Sequence, residues 1–197
     1  MDVSSHQGAI DWPAVAADGV DFAIVRAGNR GYTEGALYAD ERFAENVDGA
    51  KAAGLATGVY FFSQAVTPDE AREEADFVLG LLAGRPLDLP VAFDHEPVSD
   101  NAGRANRLTG PELAACARAF CERIEQAGYD TLVYGNKRDI ARFGGDDLDG
   151  RPVWFAEYDV AVPTGQFDFV MWQYTSAGTV AGISTRVDLN IRFAAAG

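Results

Sequence analysis

Two acidic residues at the end of an apolar segment are the first candidates for chemistry. They are Asp94 and Glu96 in the run Phe93-Asp94-His95-Glu96-Pro97, where the apolar residues predict a strand and Pro97 predicts its end. Residues two apart on a strand project from the same face, so the two carboxyls are expected to lie side by side. Repulsion between them raises the pKa of one member. Glycosidic cleavage uses such a pair, in which one carboxyl keeps its proton.

Two further acids strengthen this interpretation against the alternative of two solvated acids at a strand end. Asp2 lies in the first apolar segment of the chain and Asp188 in the last. The first and last strands of a closed barrel are neighbours, so both carboxyls could join the same site. An acid within an apolar strand is costly unless it is used or paired. A capping or salt-bridging role stays open for each of them.

Aromatic residues accompany these acids along the predicted strands and favour a carbohydrate groove. They are Tyr60, Phe62, Tyr134, Trp154, Tyr158, Trp172 and Tyr174. The apolar face of a sugar ring can stack on such rings, and tyrosine hydroxyls and indole N–H groups can bond sugar hydroxyls. A barrel core also needs large apolar residues, so part of this set is expected to be core.

Eight short segments rich in β-branched and aromatic residues predict the strands that position these groups. They are Asp2–Ser5, Phe22–Ala27, Thr57–Phe62, Val91–Glu96, Thr131–Gly135, Val153–Tyr158, Phe169–Tyr174 and Ser184–Leu189. The first four intervals between strand starts leave room for a crossover helix, whereas the last two do not.

Helix signals fall between the strands. Thr67-Pro68-Asp69-Glu70 and Thr109-Gly110-Pro111-Glu112 have the form of capping boxes, and apolar residues at helical spacing follow each one. A third helix is predicted over Tyr38–Ala53, ending before a glycine. Trp12–Ala17 and Lys137–Arg142 predict two short helices.

Strands that alternate with helices predict a parallel sheet with helices outside it, and eight strands close into a barrel. We therefore expect an α/β fold, a single irregular (β/α) barrel of TIM-like type with about eight strands. The last three strands should lack full crossover helices, which gives a (β/α)5(β)3 pattern. The 197 residues fit one domain, 1–197, with catalytic groups at the carboxyl ends of its strands.

The charge of the chain excludes several classes of partner. Its 16 basic and 30 acidic residues give a net charge of −14, which argues against binding the phosphate backbone of nucleic acid or an anionic membrane surface. No apolar run approaches the ~20 residues that span a bilayer. The chain opens with a strand-like segment after Met1, so no signal peptide is expected. A cytosolic chain and a mature form whose leader was replaced by an initiator Met both stay open.

No metal or cofactor is expected. The two cysteines, Cys116 and Cys121, are five apart on a predicted helix, beyond disulfide reach, and are interpreted as core residues. The acidic run at residues 144–150 fails the spacing of an EF-hand loop and is interpreted as a turn. His6 and His95 are the only histidines and have no cysteine partner, so a zinc site is not expected.

Several short motifs, in order along nearly the whole chain, resemble glycoside hydrolase family 25, the bacteriolytic N-acetylmuramidases or lysozymes. The opening Asp2-Val3-Ser4-Ser5-His6-Gln7-Gly8 with Ile10-Asp11-Trp12 carries the first part of this resemblance. The remaining motifs are Phe22-Ala23-Ile24-Val25-Arg26-Ala27-Gly28, Gly58-Val59-Tyr60-Phe61-Phe62, Asp94-His95-Glu96, Val153-Trp154-Phe155-Ala156-Glu157-Tyr158, Trp172-Gln173-Tyr174-Thr175-Ser176 and Val187-Asp188-Leu189-Asn190.

The resemblance implies hydrolysis of the β-1,4 bond between N-acetylmuramic acid and N-acetylglucosamine in bacterial cell-wall peptidoglycan. Glu96 would be the general acid, and Asp94 would stabilise positive charge at the anomeric centre or orient the substrate acetamido group. Asp2 and Asp188 would complete the acidic cluster. The substrate groove would include Tyr60, Phe62, Tyr134, Trp154, Tyr158 and Gln173. The resemblance further implies a secreted protein, which we expect to be a monomer.

Two other functions stay open from the sequence. One is a different acetamido-sugar glycosidase, such as a chitinase-like barrel, because carboxylates on alternate strand positions occur there too. The other is a sugar-binding barrel without catalysis. The sequence departs only modestly from the family pattern. His95 stands where the family often has an aliphatic or small residue, and it is expected to face away from Asp94 and Glu96. Gly135-Asn136-Lys137 follows Tyr134, where small polar residues are more usual.

Overall fold

The computed structural model describes residues 1–98, 103–144, 148 and 150–193 of the chain. The predicted acidic turn at residues 144–150 therefore lies mostly outside the described residues, at 145–147 and 149. Among the described residues, no helix is long and apolar enough to cross a membrane.

Nine strands of the described residues form one sheet, and eight of them close into the expected barrel. The strands are β1 (Asp2–Val3), β2 (Phe22–Arg30), β3 (Leu37–Ala39), β4 (Ala56–Phe62), β5 (Val91–Asp94), β6 (Thr131–Asn136), β7 (Val153–Ala156), β8 (Met171–Gly178) and β9 (Val187–Arg192). Their order is β1-β9-β8-β7-β6-β5-β4-β2-β3, and pairing of β1 with β2 closes the ring. Strand β3 stands outside the ring, on the edge of β2.

The strand directions follow the predicted pattern except at the end of the chain. Strands β1, β2 and β4 to β8 run parallel, whereas β9 pairs antiparallel with both β8 and β1. The wholly parallel sheet predicted from strand–helix alternation is thus wrong for β9. A short connection without a helix cannot return the chain to the starting end of the barrel, so β9 runs back along β8.

The helices lie where their start signals predicted, with one correction. They are α1 (Trp12–Ala17), α2 (Phe43–Ala52), α3 (Pro68–Leu82), α4 (Gly110–Glu125) and α5 (Lys137–Arg142). The helix predicted over Tyr38–Ala53 is wrong at its start, because residues up to Ala39 form β3 and the helix begins only at Phe43. The hydrogen bonds between β2 and β3, rather than helical propensity, determine the secondary structure of this segment.

Two apolar layers hold the barrel together. Residues of one face of each strand pack against the helices, among them Val59, Phe61, Phe93, Val133 and Phe155. The opposite face fills the barrel interior with Ile24, Leu89, Ala92, Leu132, Met171 and the aromatic residues above them. Both cysteines are buried and free in the outer layer, as expected for core residues.

Candidate active site

The register of neighbouring strands brings the inward-facing polar residues to one level of the barrel. Asp94 pairs with Tyr134, and Tyr134 pairs with Trp154 on the next strand. Asp2 pairs with Asp188 where β1 meets β9. Because paired residues point to the same face, these side chains converge at the carboxyl ends of the parallel strands.

A cleft of about 160 Å³ opens at this level. It is lined by Asp2, Tyr60, Asp94, Glu96, Tyr134, Trp154, Tyr158, Gln173 and Asp188. These nine are all members of the ten-residue set predicted from the sequence. The tenth, Phe62, lies two positions beyond Tyr60 on β4, is half-buried and does not line the cleft.

Gln173 connects two tyrosines of the cleft, Tyr134 and Tyr158, to Asp2. Its Oε1 accepts hydrogen bonds from the hydroxyls of Tyr134 at 2.8 Å and Tyr158 at 2.5 Å. Its Nε2 donates to Asp2 Oδ2 at 2.9 Å. This amide therefore fixes the positions of two hydroxyls and one carboxyl.

Asn190 completes the support of Asp2 and was not among the predicted site residues. Its Nδ2 donates to Asp2 Oδ2 at 2.8 Å, and its Oδ1 accepts from Trp154 Nε1, also at 2.8 Å. The signal that could have found it is its position on β9, two residues after Asp188 and therefore on the same strand face.

The aromatic residues form a packed floor and a more open rim. The ring of Trp154 meets those of Tyr60 and Tyr134 edge-on, with centroids 6.2 and 4.7 Å apart. Trp154 and Tyr134 are buried, whereas Tyr158 is 39% exposed. The floor thus excludes water from beneath the acids, and Tyr158 is the ring most open to a ligand.

Burial raises the pKa values of the two central carboxyls, Asp94 and Glu96. It is the largest cause that raises the pKa of Glu96 to about 7, followed by the negative charges of Asp139 and Asp2. The pKa of Asp94 is raised well above its usual range by burial and then by the charge of Glu96. Its Oδ1 is buried and has no hydrogen-bond partner among the described residues. Burial and mutual repulsion therefore both oppose ionisation of this pair.

The pKa values of the two flanking acids, Asp188 and Asp2, are raised as well. Burial first, and then the charges of Asp2 and Glu96, raise the pKa of Asp188 to about 7. Burial also raises the pKa of Asp2, although the hydrogen bonds from Asn190 and Gln173 oppose this effect. Each ionised member of this cluster therefore disfavours ionisation of the others.

Asp139 is a further acid that sequence analysis missed. It is 2% exposed, stands in the first turn of α5 and is the largest charge effect on the pKa of Glu96. Its own pKa is raised by burial, against the lowering effect of Arg142 and Arg138. Its position in a short helix gave no sequence signal, because only the barrel places α5 beside the end of β5.

His95 faces away from the cleft, as its place between Asp94 and Glu96 predicts. Its Nδ1 lies 3.2 Å from the carbonyl oxygen of Ser63 and must carry the proton, because a carbonyl can only accept. Its Nε2 then accepts from Arg142 Nη1 at 3.4 Å. Burial and the Arg142 charge lower the pKa of His95 to about 4, so this ring is neutral at physiological pH.

No group of three or more histidine, cysteine or acidic residues in the described part of the chain has the arrangement of a metal site. The side chains of the cleft are instead carboxyls, hydroxyls, amides and aromatic rings. These are groups that transfer a proton and bind sugar hydroxyls.

Comparison with known sequences finds a matching protein family. The sequence model of glycosyl hydrolases family 25 matches residues 1–183. The autolytic lysozyme of Clostridium acetobutylicum is 31% identical over 194 residues, which cover 96% of this chain and 54% of that protein. The chain thus spans about half the length of this curated relative.

Solved structures share the fold over almost the whole chain. The bacterial lysozyme from Streptomyces coelicolor superposes with a TM-score of 0.81 at 26% identity, covering 98% of this chain and 90% of that one. The modular autolysin LytC from Streptococcus pneumoniae, solved with a synthetic peptidoglycan ligand, gives 0.84 at 26% identity, covering 96% of this chain and 45% of that one.

Proposed function

This chain belongs to glycosyl hydrolases family 25, and on that premise we propose that it hydrolyses the β-1,4 bond between N-acetylmuramic acid and N-acetylglucosamine in peptidoglycan. The observation that carries the proposal is the pair Asp94 and Glu96, which line a cleft with an aromatic floor and whose pKa values are raised by burial. The relatives named lysozyme and autolysin, one of them solved with a peptidoglycan ligand, support this substrate.

Glu96 is the general acid in this proposal. A pKa of about 7 leaves its carboxyl largely protonated at mildly acidic pH, so it can donate a proton to the leaving glycosidic oxygen. The charges of Asp139 and Asp2 help to hold that proton until the bond breaks. Activity should therefore decline as the pH rises through about 7.

Asp94 binds the acetamido group of the substrate in this proposal. Stabilising positive charge at the anomeric centre would need an ionised Asp94, which its burial opposes. Its buried Oδ1, without a hydrogen-bond partner among the described residues, can instead accept a hydrogen bond from an amide N–H. The structure thus favours orientation over charge stabilisation.

The remaining cleft residues bind and position the sugars. Tyr158 presents an exposed ring and a hydroxyl fixed by Gln173, so it can stack on a pyranose and bond its hydroxyls. Asp2 and Asp188 complete the acidic cluster, in which the charge of each carboxyl raises the pKa of its neighbours. We further propose that the protein acts on the bacterial cell wall outside the cell, as a monomer.

The experiment that tests this function is digestion of purified peptidoglycan, followed by borohydride reduction and mass spectrometry of the released fragments. Reduced muramic acid ends are expected from the wild type. Glu96→Gln should lose at least ~100-fold in turnover while still binding glycan, because it removes the transferable proton and keeps the shape of the side chain. Glu122→Gln, an exposed position on α4, is the matched control and should keep full activity.

Other outcomes would contradict the proposal in distinct ways. Reduced glucosamine ends would indicate a different bond specificity. Absence of fragments together with glycan binding would indicate a sugar-binding barrel. Near wild-type turnover of Glu96→Gln would show that another residue supplies the proton.

A further inference from the structure

A second row of side chains lies at the same height as the cleft and extends from it across β4, β2 and β3. Asp94 pairs with Phe62 on β4, Phe62 with Asn29 on β2, and Asn29 with Tyr38 on β3. Laterally paired residues share a sheet face, so Tyr38, Asn29 and Phe62 form one row that leads from Asp94 to the outer strand. We call these three residues the β3 shelf.

The alternation of neighbouring residues fixes the direction in which the β3 shelf faces. Arg30, next to Asn29, points outward and bonds Glu74 of α3, with its Nε 2.8 Å from Oε1. Phe61, next to Phe62, is fully buried in the outer core against the helices. The side chains of Asn29 and Phe62 must therefore point to the opposite side, the side of the cleft.

The β3 shelf has the composition of a sugar platform. Tyr38 is 49% exposed and Phe62 is half-buried, so two aromatic rings flank the amide of Asn29. This amide makes no side-chain hydrogen bond with the described part of the chain, so its donors and acceptor are available to a ligand. Aromatic faces stack on pyranose rings, and an amide can bond an acetamido group or a hydroxyl.

The strand that carries Tyr38 is held firmly to the barrel. A β-carbon at Gly28 would collide with the carbonyl oxygen of Tyr38, so the glycine permits the close approach of β2 and β3. Asp40, two residues after Tyr38, is buried and accepts hydrogen bonds from Arg26 Nε at 2.9 Å and from the backbone N–H of Ser5 at 3.0 Å. The β3 shelf is therefore already formed in the absence of a ligand.

We propose that Tyr38, Asn29 and Phe62 bind an additional N-acetylhexosamine ring of the glycan strand, beyond the sugars at the reacting bond. This rests on the proposed function for its substrate class. Strands lie ~4.8 Å apart, so Tyr38 is about 14 Å along the sheet from Asp94, and a ligand must extend from the cleft to reach it. Only substrates longer than the minimum should therefore use the shelf.

The test compares Tyr38→Ala with Tyr32→Ala on peptide-free glycan oligomers of increasing defined length. Tyr32 is 46% exposed and lies in the turn before β3, outside the row, so it is a matched control. Tyr38→Ala should lower kcat/KM about 5-fold on long oligomers and leave it unchanged on the shortest oligomer that is cleaved. Tyr32→Ala should change neither value, and Tyr38→Phe should retain most of the activity on long oligomers.

A binding measurement separates failure of the subsite from failure of the catalytic proposal. Calorimetric titration of the oligomers into Glu96→Gln, with and without Tyr38→Ala, should show the same length-dependent loss of affinity, whether or not the wild type cleaves. Equal effects of Tyr38→Ala at every length, or no effect at any length, would overturn the subsite. Absence of binding by every oligomer would overturn it as well. Absence of cleavage alone would count only against the catalytic proposal.

Discussion

Replacing Asp139 with asparagine should move the pH dependence of catalysis without removing a group that touches the substrate. Asp139 is buried in α5 and does not line the cleft. Its negative charge opposes ionisation of Glu96, and asparagine removes that charge while keeping the size of the side chain. The pKa of Glu96 should therefore fall, and the basic limb of the pH–rate profile should move to lower pH.

The structure bounds the size of this effect. The pKa of Glu96 is raised from 4.5 to about 7, with burial as the largest cause and Asp139 as the next. The share of Asp139 is therefore less than half of the rise, and we expect the basic limb to move down by about half a pH unit to one pH unit. At pH 7 a shift of about half a unit would reduce the protonated fraction of Glu96 from roughly one half to roughly one quarter.

The assay is kcat/KM between pH 4 and pH 9 on soluble glycan oligomers, for the wild type and Asp139→Asn. Asp69→Asn is the control, because the Asp69 side chain is 92% exposed at the start of α3 and its replacement changes the net charge by the same amount. Asp69→Asn should leave the profile in place. Activity of Asp139→Asn at pH 5 should match the wild type, because Glu96 is protonated in both proteins there.

Two results would refute this reasoning. An unchanged basic limb in Asp139→Asn would show that the charge of Asp139 does not reach Glu96. An equal loss of activity at every pH would show that Asp139 acts only by holding the structure of α5.

Two further predictions concern the supporting network and the stability of the fold. Gln173→Leu should lower kcat/KM by about 10-fold or more and the free energy of unfolding by ~1–3 kcal/mol, since it leaves buried polar groups unpaired. Kinetics with thermal unfolding would check this, and wild-type values would contradict it. The unfolding free energy should also fall as pH rises from about 5 to 8, because the pKa values of Glu74, Glu96 and Asp188 are each raised to about 7 in the folded state. These three carboxyls outweigh His95, whose lowered pKa of about 4 has the opposite effect below about pH 6.5. Protons bound only by the folded protein in that window are lost as the pH rises. Urea unfolding at both pH values measures the effect, and greater stability at pH 8 would disprove it.

Local patterns in the sequence were sufficient for most of the fold. The capping residues Thr67 and Thr109 directly precede the helices α3 and α4, because a helix start depends on side chains three residues apart. Apolar segments bounded by turn residues predicted the eight strands of the ring, although β8 and β9 begin two to three residues later than expected. The closed barrel followed from the alternation of these elements.

The sequence also determined most of the candidate site. The spacing of Asp94 and Glu96 predicted neighbouring carboxyls, and both line the cleft. The strand predicted over Val91–Glu96 is too long, however, because β5 ends at Asp94 and Glu96 lies two residues beyond it. Asp2 and Asp188 could be added because a closed barrel makes its end strands neighbours. Nine of the ten predicted residues line one cleft for this reason.

Only the tertiary structure decided the contacts between distant segments. The reversed direction of β9, the β3 hairpin and the position of Asp139 beside Glu96 depend on packing that no local spacing encodes. Gln173 and Asn190 bond Asp2 across 171 and 188 residues of chain. Sequence spacing fixes which face of an element a side chain occupies, but closure of the barrel determines which side chains from different elements meet, how deeply they are buried and therefore which carboxyls keep their protons.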